Sequence, residues 1–522
     1  MVGLRAAALG AAAVTVIGAA LAGCSSSSSD EGSGGAAGQP KAGGTLTYGI
    51  NADGASLDPA QCSSSNARCA PIFGSLLRYD LDKKGLTPYV AQSFESADGI
   101  TWTLKLRNGV KFSDGTPLDA EAVVFNWDRI KDPATLSSSI ALTKGASWKV
   151  VDAQTVEVTL DKANFQFGLA LTQGLGFIGS PTAIKAAGAD VGTKPVGAGP
   201  FVLKKWVPGT QYDFAKNPGY FEQGRPYLDN LVYKVIGADD QRLNALRSGQ
   251  LDADWSLLAK DAKAIEPEGF SVNRVPVIGG TGLQFNYKDA TTKDEGLRQA
   301  ILHTFDSKQI VDAIYPGNEP TDAFLRPDSP YRDDAEGVFP KLDVAQGQQL
   351  FDDYLKRTGK SSETLTISTY AGIPALEKAT QLIQAQAQKL KGLTVKIEGM
   401  DAPSLSKKTM SGQWQMILGT TSAISPDVMY NLAHTDGLVN FGKYSNPDVD
   451  RALELTRSSN DTAEIEKAYK FINGQISKDG LLRIYRYNVG FIYTSKDVKG
   501  FKYSAEQNNG ATPFWENVWM DK

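Results

Sequence analysis

An apolar run that ends within the first two dozen residues restricts this chain most. Arg5 precedes alanine, valine, isoleucine and leucine up to Leu21, as in the signal segments that direct export. The rest of the 522-residue sequence has no run near the ~18 uninterrupted apolar residues that span a bilayer. We therefore predict that residues 1–23 are a signal peptide and that the remainder folds as an exported globular body.

The end of this run adds a more specific signal. Its last residues, Leu-Ala-Gly up to Cys24, resemble the lipobox of bacterial lipoproteins, which implies cleavage before Cys24 and acylation of that cysteine. Two or more acyl chains anchor a protein stably, at about 0.8 kcal/mol per buried methylene. The alternative is an uncleaved alanine-rich transmembrane helix. Residues 24–44 are rich in serine and glycine, a composition typical of a flexible tether.

Composition and cysteine count narrow the remaining classes. A formal net charge of −4 argues against nucleic acid as a partner. If Cys24 carries lipid, Cys62 and Cys69 remain, and an even remainder outside the cytosol favours a disulfide. A metal site is the competing interpretation, but the pair lacks CxxC spacing and no histidine is near.

Local patterns predict a mixed α/β chain. Alternation of Trp102, Leu104 and Leu106 with polar residues predicts a strand, and "TVEVTL" predicts another. Asp119 is positioned to cap a helix. The later sequence gives a strand "TLTIS", a helix "PALEKATQLIQAQAQKL" and a strand "LTVKIE" in order, which predicts a β-α-β unit. Asn446 and Asp461 are predicted helix caps, the latter with Glu464 in a capping-box-like pair.

Several blocks resemble a known family. The run "VAQSFESADGITWTLKLRNGVKFSDGTPLDAEAVVFNWDRI" looks like the signature region of family 5 solute-binding proteins, the extracellular receptors of peptide, nickel and related ABC importers. The blocks at 194–236, 241–255, 297–317, 444–456 and 498–504 agree in order. The resemblance covers nearly all of the chain after residue 45.

The resemblance implies an α/β fold, a periplasmic-binding-protein-like two-lobed clamp of type II, family 5 or cluster C, with an extra inserted domain. Lobe I is expected at 45–69, 194–283 and 491–522, the inserted domain at 70–193, and lobe III at 284–490. Crossing strands would form the hinge, and closure would trap a solute for a membrane permease. We expect a monomer, no cofactor and no bound metal.

The ligand is the least constrained property. Peptide-binding members often carry a Trp-x-Ala-Asp run whose aspartate receives the peptide amino group, but Thr420 and Ala423 stand there. Asp427 substitutes only if the loop is shifted. The departure leaves an oligopeptide or dipeptide-like ligand, an oligosaccharide or a metal chelate open. By analogy, and because such pockets combine aromatic walls with polar groups, the candidate ligand-binding residues are Asn51, Asp53, Trp255, Gln284, Asn286, Thr420, Thr421, Tyr430, Tyr485 and Tyr487.

A lipid-anchored hydrolase is the competing class. The only histidines are His303 and His434, and neither HExxH nor GxSxG occurs. Spacing alone does not test a triad whose members meet only in the fold, and nothing in the sequence indicates one. "GLGFIG" at 174–179 spells GxGxxG, yet Ser180 and Pro181 follow immediately, so we expect a flexible turn and no dinucleotide site. We expect no enzymatic activity.

Overall fold

The predicted strands form where apolar and polar residues alternate. Trp102, Leu104 and Leu106 are buried on one face of their strand, while Lys105 is exposed. The computed structural model describes residues 39–64, 66–81, 83, 85–333, 338–423, 425–505 and 511–522. The predicted signal peptide, Cys24 and most of the tether lie outside the described residues. Pro40–Lys522 forms one unit.

The strands are as follows. The first ten are β1 Thr45–Ile50, β2 Leu77–Asp80, β3 Gly85–Pro88, β4 Ala91–Glu95, β5 Thr101–Leu106, β6 Ala146–Asp152, β7 Thr155–Leu160, β8 Phe201–Val207, β9 Gln211–Lys216 and β10 Asn230–Val235. The others are β11 Ala253–Ser256, β12 Ser271–Phe285, β13 Glu363–Tyr370, β14 Leu393–Met400, β15 Met416–Thr420, β16 Leu482–Thr494, β17 Val498–Lys499, β18 Tyr503–Ala505, β19 Ala511–Pro513 and β20 Trp519–Met520.

The helices are distributed along the whole described chain. The first half holds α1 Asn66–Phe73, α2 Ala120–Lys131, α3 Pro181–Ala187, α4 Asp239–Arg247 and α5 Ala259–Ile265. The second half holds α6 Glu295–Leu302, α7 Ser307–Ile314, α8 Val344–Thr358, α9 Pro374–Ala387, α10 Ala402–Ser411, α11 Val428–Ala433, α12 Pro447–Ser458 and α13 Thr462–Asp479. Within the residues described, no helix is both long and apolar enough to cross a bilayer.

One ten-stranded sheet dominates the fold, in the order β14-β13-β15-β12-β16-β11-β1-β10-β9-β8. Two adjacent inner strands, β12 and β16, are long and antiparallel. The strands on one side come from residues 363–420, and those on the other side come from 45–50 and 201–256. β12 and β16 therefore connect two groups of strands that have separate origins in the sequence. A four-stranded sheet, β4-β5-β7-β6, lies apart from this sheet.

The apolar residues form separate cores. One core surrounds the four-stranded sheet and includes Trp102 and Trp127. A second packs around β1, β9 and β10, with Tyr48 and Trp515 among its members. A third lies on the sheet face covered by α6 to α9, and a fourth on the side of α11 to α13. Each group of strands in the sheet thus has its own buried apolar layer, which is what a chain of this length requires.

The local predictions are mostly confirmed. Asp119 accepts the Ala122 N–H at 2.9 Å and caps α2. Asn446 and Asp461 cap α12 and α13, and β13 pairs in parallel with β14 through α9. Glu464 departs from the expected capping box, because its carboxylate accepts the Ser459 hydroxyl at 2.9 Å.

The 174–179 segment differs from the flexible turn that we expected. It forms a short 3-10 turn whose residues are buried. A Cβ at Gly176 would lie 2.0 Å from the Leu171 carbonyl oxygen, so glycine is required there by close backbone packing. α3 begins only at Pro181.

Candidate functional site

β13 and β15 run in parallel, so their carboxyl ends lie along the same end of the large sheet. This end is called the carboxyl edge below. In open α/β sheets, ligands bind outside this edge. Residues opposite each other on paired strands share a face. On the face covered by α6 to α9, Leu283 lies opposite Leu418, and two residues nearer the edge Thr281 lies opposite Thr420. The face changes there from apolar to hydroxyl-bearing, and the two threonine Oγ1 atoms are 3.1 Å apart.

β16 extends this polar row. Arg486 lies opposite Thr281, but the next pair along the strands is Ile484 with Gly282. Tyr485 is therefore an extra residue, a β-bulge, and bulges re-aim side chains. Tyr485 packs into the same core as Leu283, and its ring stacks on Tyr315, with ring centroids 6.2 Å apart.

The Arg486 guanidinium lies over the ring of Tyr315, at 4.1 Å from its centroid. The residue is only 6% exposed. Its Nε and Nη1 atoms are buried without a hydrogen-bond partner, and the Tyr485 hydroxyl lies beside the guanidinium. Among the described residues no carboxylate forms an ion pair with Arg486. Burial raises the pKa of Tyr485, and the nearby Arg486 charge opposes that rise. A buried guanidinium with free donors can accept an anion.

The other side of the sheet approaches this edge. Leu258, between β11 and α5, packs against the core that contains Tyr485. A Cβ at Gly317, just after α7, would lie 3.3 Å from Lys263 Nζ of α5. The Arg486 region is therefore bordered by residues that follow strands on both sides of the β12–β16 pair.

Asp427 is already engaged by the protein. It accepts hydrogen bonds from Arg457 Nε at 2.7 Å and Nη2 at 2.8 Å. The Arg457 guanidinium lies 3.4 Å from the ring centroid of Tyr430, and Tyr430 also stacks on His434 at 4.4 Å. Neither Asp427 nor the residues at the usual aspartate position supplies a free carboxylate for a ligand amine.

The predicted residues after β1 differ in environment. Asn51 is exposed. The Asp53 carboxylate accepts hydrogen bonds from the Tyr212 hydroxyl, Trp206 Nε1 and the N–H groups of Gly54 and Gly209. Burial acts to raise the pKa of Asp53, but these hydrogen bonds, led by that of Tyr212, bring it below the ordinary value. Asp53 therefore holds the loop to β8 and β9.

Trp255 lies on β11, next to β16. A Cβ at Gly490 would be 1.8 Å from Trp255 Cη2, so the indole covers the β16 backbone at a position that only glycine allows. Trp255 is half-buried, which leaves part of its ring surface available.

The remaining candidates lie on or beside the crossing strands. Asn286 donates from Nδ2 to the carbonyl oxygens of Gly412 at 2.9 Å and Trp414 at 2.7 Å, so its amide joins two loops. Gln284 is buried between β15 and β16. The Tyr487 hydroxyl donates to the Leu325 carbonyl oxygen at 3.1 Å. Thr421 is half-buried, and its N–H donates to the Gly280 carbonyl oxygen at 2.9 Å.

The structure thus brings Thr420 and Tyr485 together at the sheet edge and uses Asp53 and Asn286 in internal hydrogen bonding. Which candidates contact a ligand stays a prediction. Arg486, Tyr315 and Thr281 were not among the residues chosen from the sequence. The available signal was the pair of arginines, Arg483 and Arg486, within the otherwise apolar "LLRIYRYNVGFIYT".

Cysteine and histidine chemistry is limited in the described part. Cys62 and Cys69 form a disulfide with Cα atoms 6.0 Å apart. His303 Nδ1 lies 2.8 Å from the Lys341 carbonyl oxygen. Within the described residues no three cysteine, histidine or acidic side chains converge to hold a metal ion. The arrangement is suited to binding a polar solute by hydrogen bonds and charge.

The chain is similar to known solute-binding proteins. The family described as bacterial extracellular solute-binding proteins, family 5, matches residues 85–442. The chain is 25% identical to the oligopeptide-binding protein AppA of Bacillus subtilis over 96% of both chains. It is 28% identical to the glutathione-binding protein GsiB of Shigella flexneri, over 79% of this chain and 83% of that one.

A solved structure shows the same fold. The structure of Bacillus subtilis AppA in complex with a nonapeptide has a TM-score of 0.76 at 22% sequence identity, and the match covers 93% of this chain and 100% of that one. The expected fold class, a two-lobed α/β binding protein, is confirmed by this match and by the mixed sheet.

Proposed function

This chain belongs to family 5 of the bacterial extracellular solute-binding proteins, and from that premise we propose that it is the receptor of an ABC importer. It captures an oligopeptide or dipeptide-like solute between two lobes, closes around it and delivers it to a permease. No bond is made or broken in this cycle, and ligand binding shifts a population towards the closed form. The relatives that bind oligopeptides and glutathione by name support this class of solute.

The observation that carries this proposal is the pair of long adjacent strands inside the large sheet. β12 and β16 each reach from one group of strands to the other. Their ladder is interrupted between Pro276 and Gly280, where Ile278 pairs with Ala423. Two crossing segments with a break in their pairing are suited to a hinge, since few hydrogen bonds there resist a change in backbone angles.

The proposed lobes correspond in large part to the separate cores, although residues on both sides of the lobe I boundary contribute to the first two cores. Lobe I comprises 45–69, 194–283 and 491–522, an inserted domain comprises 70–193, and lobe III comprises 284–490. The core around Tyr48 and Trp515 supports the first assignment, and the core of the four-stranded sheet supports the second. A monomer suffices for this mechanism.

We also place the protein on the outer face of the cell membrane. Acylation of Cys24 would supply the anchor, and residues up to 44 would serve as the tether. The support is the lipobox-like sequence before Cys24. A tether keeps the receptor near its permease and raises its effective concentration there.

A second candidate is a non-peptide solute, such as an oligosaccharide or a metal chelate. It is favoured by the Asp427–Arg457 pair, which leaves no free carboxylate at the place where peptide-binding relatives hold the ligand amine. No observation favours the hydrolase alternative, and the family consists of binding proteins.

The test is native mass spectrometry of the purified full chain, followed by thermal-shift titration of whatever solute co-purifies. Binding should raise Tm in proportion to RT ln(1 + [L]/Kd), and the solute should be recovered unchanged. Conversion of the solute would contradict the receptor. A shift produced by an oligosaccharide and by no peptide would replace the peptide assignment with the second candidate.

A further inference from the structure

We propose that Arg486 anchors an anionic group of the solute, with the Tyr485 and Tyr315 side chains beside it, so that the receptor selects acidic solutes by their negative end. The inference rests on the proposed function and adds the chemical class of the ligand. The group bound would be a carboxylate or a phosphate.

Arg486 has no carboxylate partner among the described residues. Two other arginines of the described chain have carboxylate partners: Arg242, which is buried, has its Nε 2.9 Å from Asp254, and Arg78, which is half-buried, has its Nη1 2.6 Å from Glu516. Arg486 is 6% exposed, yet two of its donor atoms have no hydrogen-bond partner. Leaving a buried charge unpaired is expensive, so a receptor that keeps one is expected to receive the counter-charge from outside.

Arg483 lies on the same strand as Arg486 but is held differently. Arg483 Nη1 donates to the Ile484 carbonyl oxygen at 2.8 Å, and its guanidinium lies between Phe305 and Phe339. Burial lowers the pKa of Arg483 to about 9. Arg483 also has one buried donor, Nε, without a hydrogen-bond partner, but its guanidinium is enclosed by aromatic rings, whereas Arg486 lies opposite Thr281, at the polar edge of the face.

Arg486 lies in a row of polar residues that crosses the sheet. The row Thr420, Thr281 and Arg486 crosses three neighbouring strands at the carboxyl edge. The Tyr485 hydroxyl, beside the Arg486 guanidinium and Tyr315, is a further polar group in this area. Hydroxyl and guanidinium donors grouped on one side match an anion that has several acceptor oxygens. The bulge at Tyr485 is what brings its ring to the same side as Tyr315 and Arg486.

Asp427 is the acidic residue that could bind a cationic end of the solute, and it already has a partner. Asp427 is neutralised by a bidentate pair with Arg457. The unsatisfied charge near the edge is therefore positive. A ligand held mainly by an ammonium group would find its counter-charge already paired, while a ligand with an acidic group would find a free one.

The experiment compares matched solutes on matched proteins. Five peptides of two to six residues are titrated as free acids and as C-terminal amides, together with glutarate, glycerol 3-phosphate and maltotriose. The proteins are the wild-type full chain, Arg486→Gln, Arg486→Lys and the control Arg274→Gln. Arg274 is a cation on β12 whose guanidinium lies 5.7 Å from the Phe491 ring centroid, so the control removes one arginine charge from the neighbouring crossing strand.

We expect at least one acidic solute to bind wild-type and Arg274→Gln with equal Kd. Arg486→Gln should weaken that solute about 10- to 100-fold, the range for charge-assisted hydrogen bonds, and Arg486→Lys should recover part of the loss. Amides and maltotriose should be affected little. The unliganded Arg486→Gln protein should melt no lower than wild type, because an unpaired buried charge has been removed.

The outcomes separate the two proposals. If amidated peptides or maltotriose bind as tightly as acids and Arg486→Gln leaves their Kd unchanged, the receptor stands and the anion site is wrong. Tight binding of glycerol 3-phosphate alone supports the anion site and identifies phosphate as its group. If no solute of either charge binds, both proposals fail. If Arg486→Gln unfolds, Arg486→Lys with an acid-to-amide comparison decides the question.

Discussion

The carboxylate of Asp53 shows how one side chain can organise a loop. It accepts hydrogen bonds from two aromatic side chains and two backbone N–H groups. The ionised form is stabilised by these donors, which is why the pKa of Asp53 lies below the ordinary value although burial opposes this. A group with a lowered pKa in the folded state stabilises the fold above its unfolded pKa, and the contribution is lost as pH falls through the folded value.

We predict that Asp53→Asn destabilises the protein at pH 7 by roughly 1 kcal/mol, after allowance for solvent screening. The difference in Tm between wild type and Asp53→Asn should shrink as pH falls below about 4, because the wild-type carboxylate becomes protonated there. Thermal melts from pH 7 to about pH 2.5 measure this. A difference that is constant across that range would show that the hydrogen bonds to the ionised carboxylate are not its source.

The Arg78–Glu516 pair gives a second test at this scale. Its two hydrogen bonds are 2.6 and 3.1 Å long, and the guanidinium lies over the rings of Tyr89 and Phe514. Glu516→Ala should cost about 3–5 kcal/mol because it leaves Arg78 buried and unpaired. Adding Arg78→Leu should recover part of that loss. Urea unfolding of the single and double variants measures both, and an equal or larger loss in the double variant would contradict the argument.

Family analogy predicted where the candidate residues lie in the fold better than it predicted what their side chains do. Asn286 and Asp53 lie near the crossing strands and the β1 loop, as expected, but both make internal hydrogen bonds. The sequence marks Arg483 and Arg486 equally, as two arginines within one largely apolar run, and it does not show which of them has a partner. Only the three-dimensional neighbours show that Arg486 lacks a carboxylate among the described residues.

At the scale of elements, local chemistry was sufficient where an element depends on its own residues. The caps at Asp119, Asn446 and Asp461 are short-range features, and each helix begins where its cap predicts. The full length of β12 and β16 was not predictable in this way. The two strands pair with each other although residues 286–481 separate them in the sequence. Buried central strands also lack the alternation that marks a half-exposed strand.

Gly282 tests the crossing strands. A Cβ there would lie 2.1 Å from the Arg483 carbonyl oxygen and 2.3 Å from Ile484 Cα. Gly282→Ala should therefore separate β12 from β16 locally and destabilise the protein by about 1–3 kcal/mol. Gly399→Ala is the control, since its Cβ on β14 would meet only Ala371 Cβ, at 3.5 Å. Chemical denaturation measures both, and equal losses would show that the pairing is not the cause.

At the scale of the whole molecule, contacts join the region of the four-stranded sheet to α12. The Phe165 N–H donates to the Arg457 carbonyl oxygen at 2.7 Å, and Lys162 Nζ lies 3.3 Å from Glu454. Arg457 also holds Asp427. One helix thus contacts the proposed inserted domain and the loop after β15, so the proposed ligand region and that domain are mechanically connected.

The proposed anchor belongs to this scale as well. Cys24→Ala should move the protein from the membrane fraction to the soluble fraction, because no acyl chain can then be attached through its sulfur. The Cys62→Ser/Cys69→Ser variant is the control, and it should remain with the membrane. Fractionation of expressing cells followed by immunoblotting measures both. Retention of Cys24→Ala at the membrane would favour the uncleaved transmembrane helix.

The core that holds Tyr48 has a consequence for synthesis. Leu46 and Tyr48 near the beginning of the folded body share that core with Trp515, Val518 and Met520 near its end. A ribosome delivers these two groups at opposite ends of translation, so the early apolar strand has to wait for its last partners. Folding of this layer therefore requires nearly the whole folded body, because its contacts join residues far apart in the sequence, and its apolar residues are exposed to aggregation until the last strands are present.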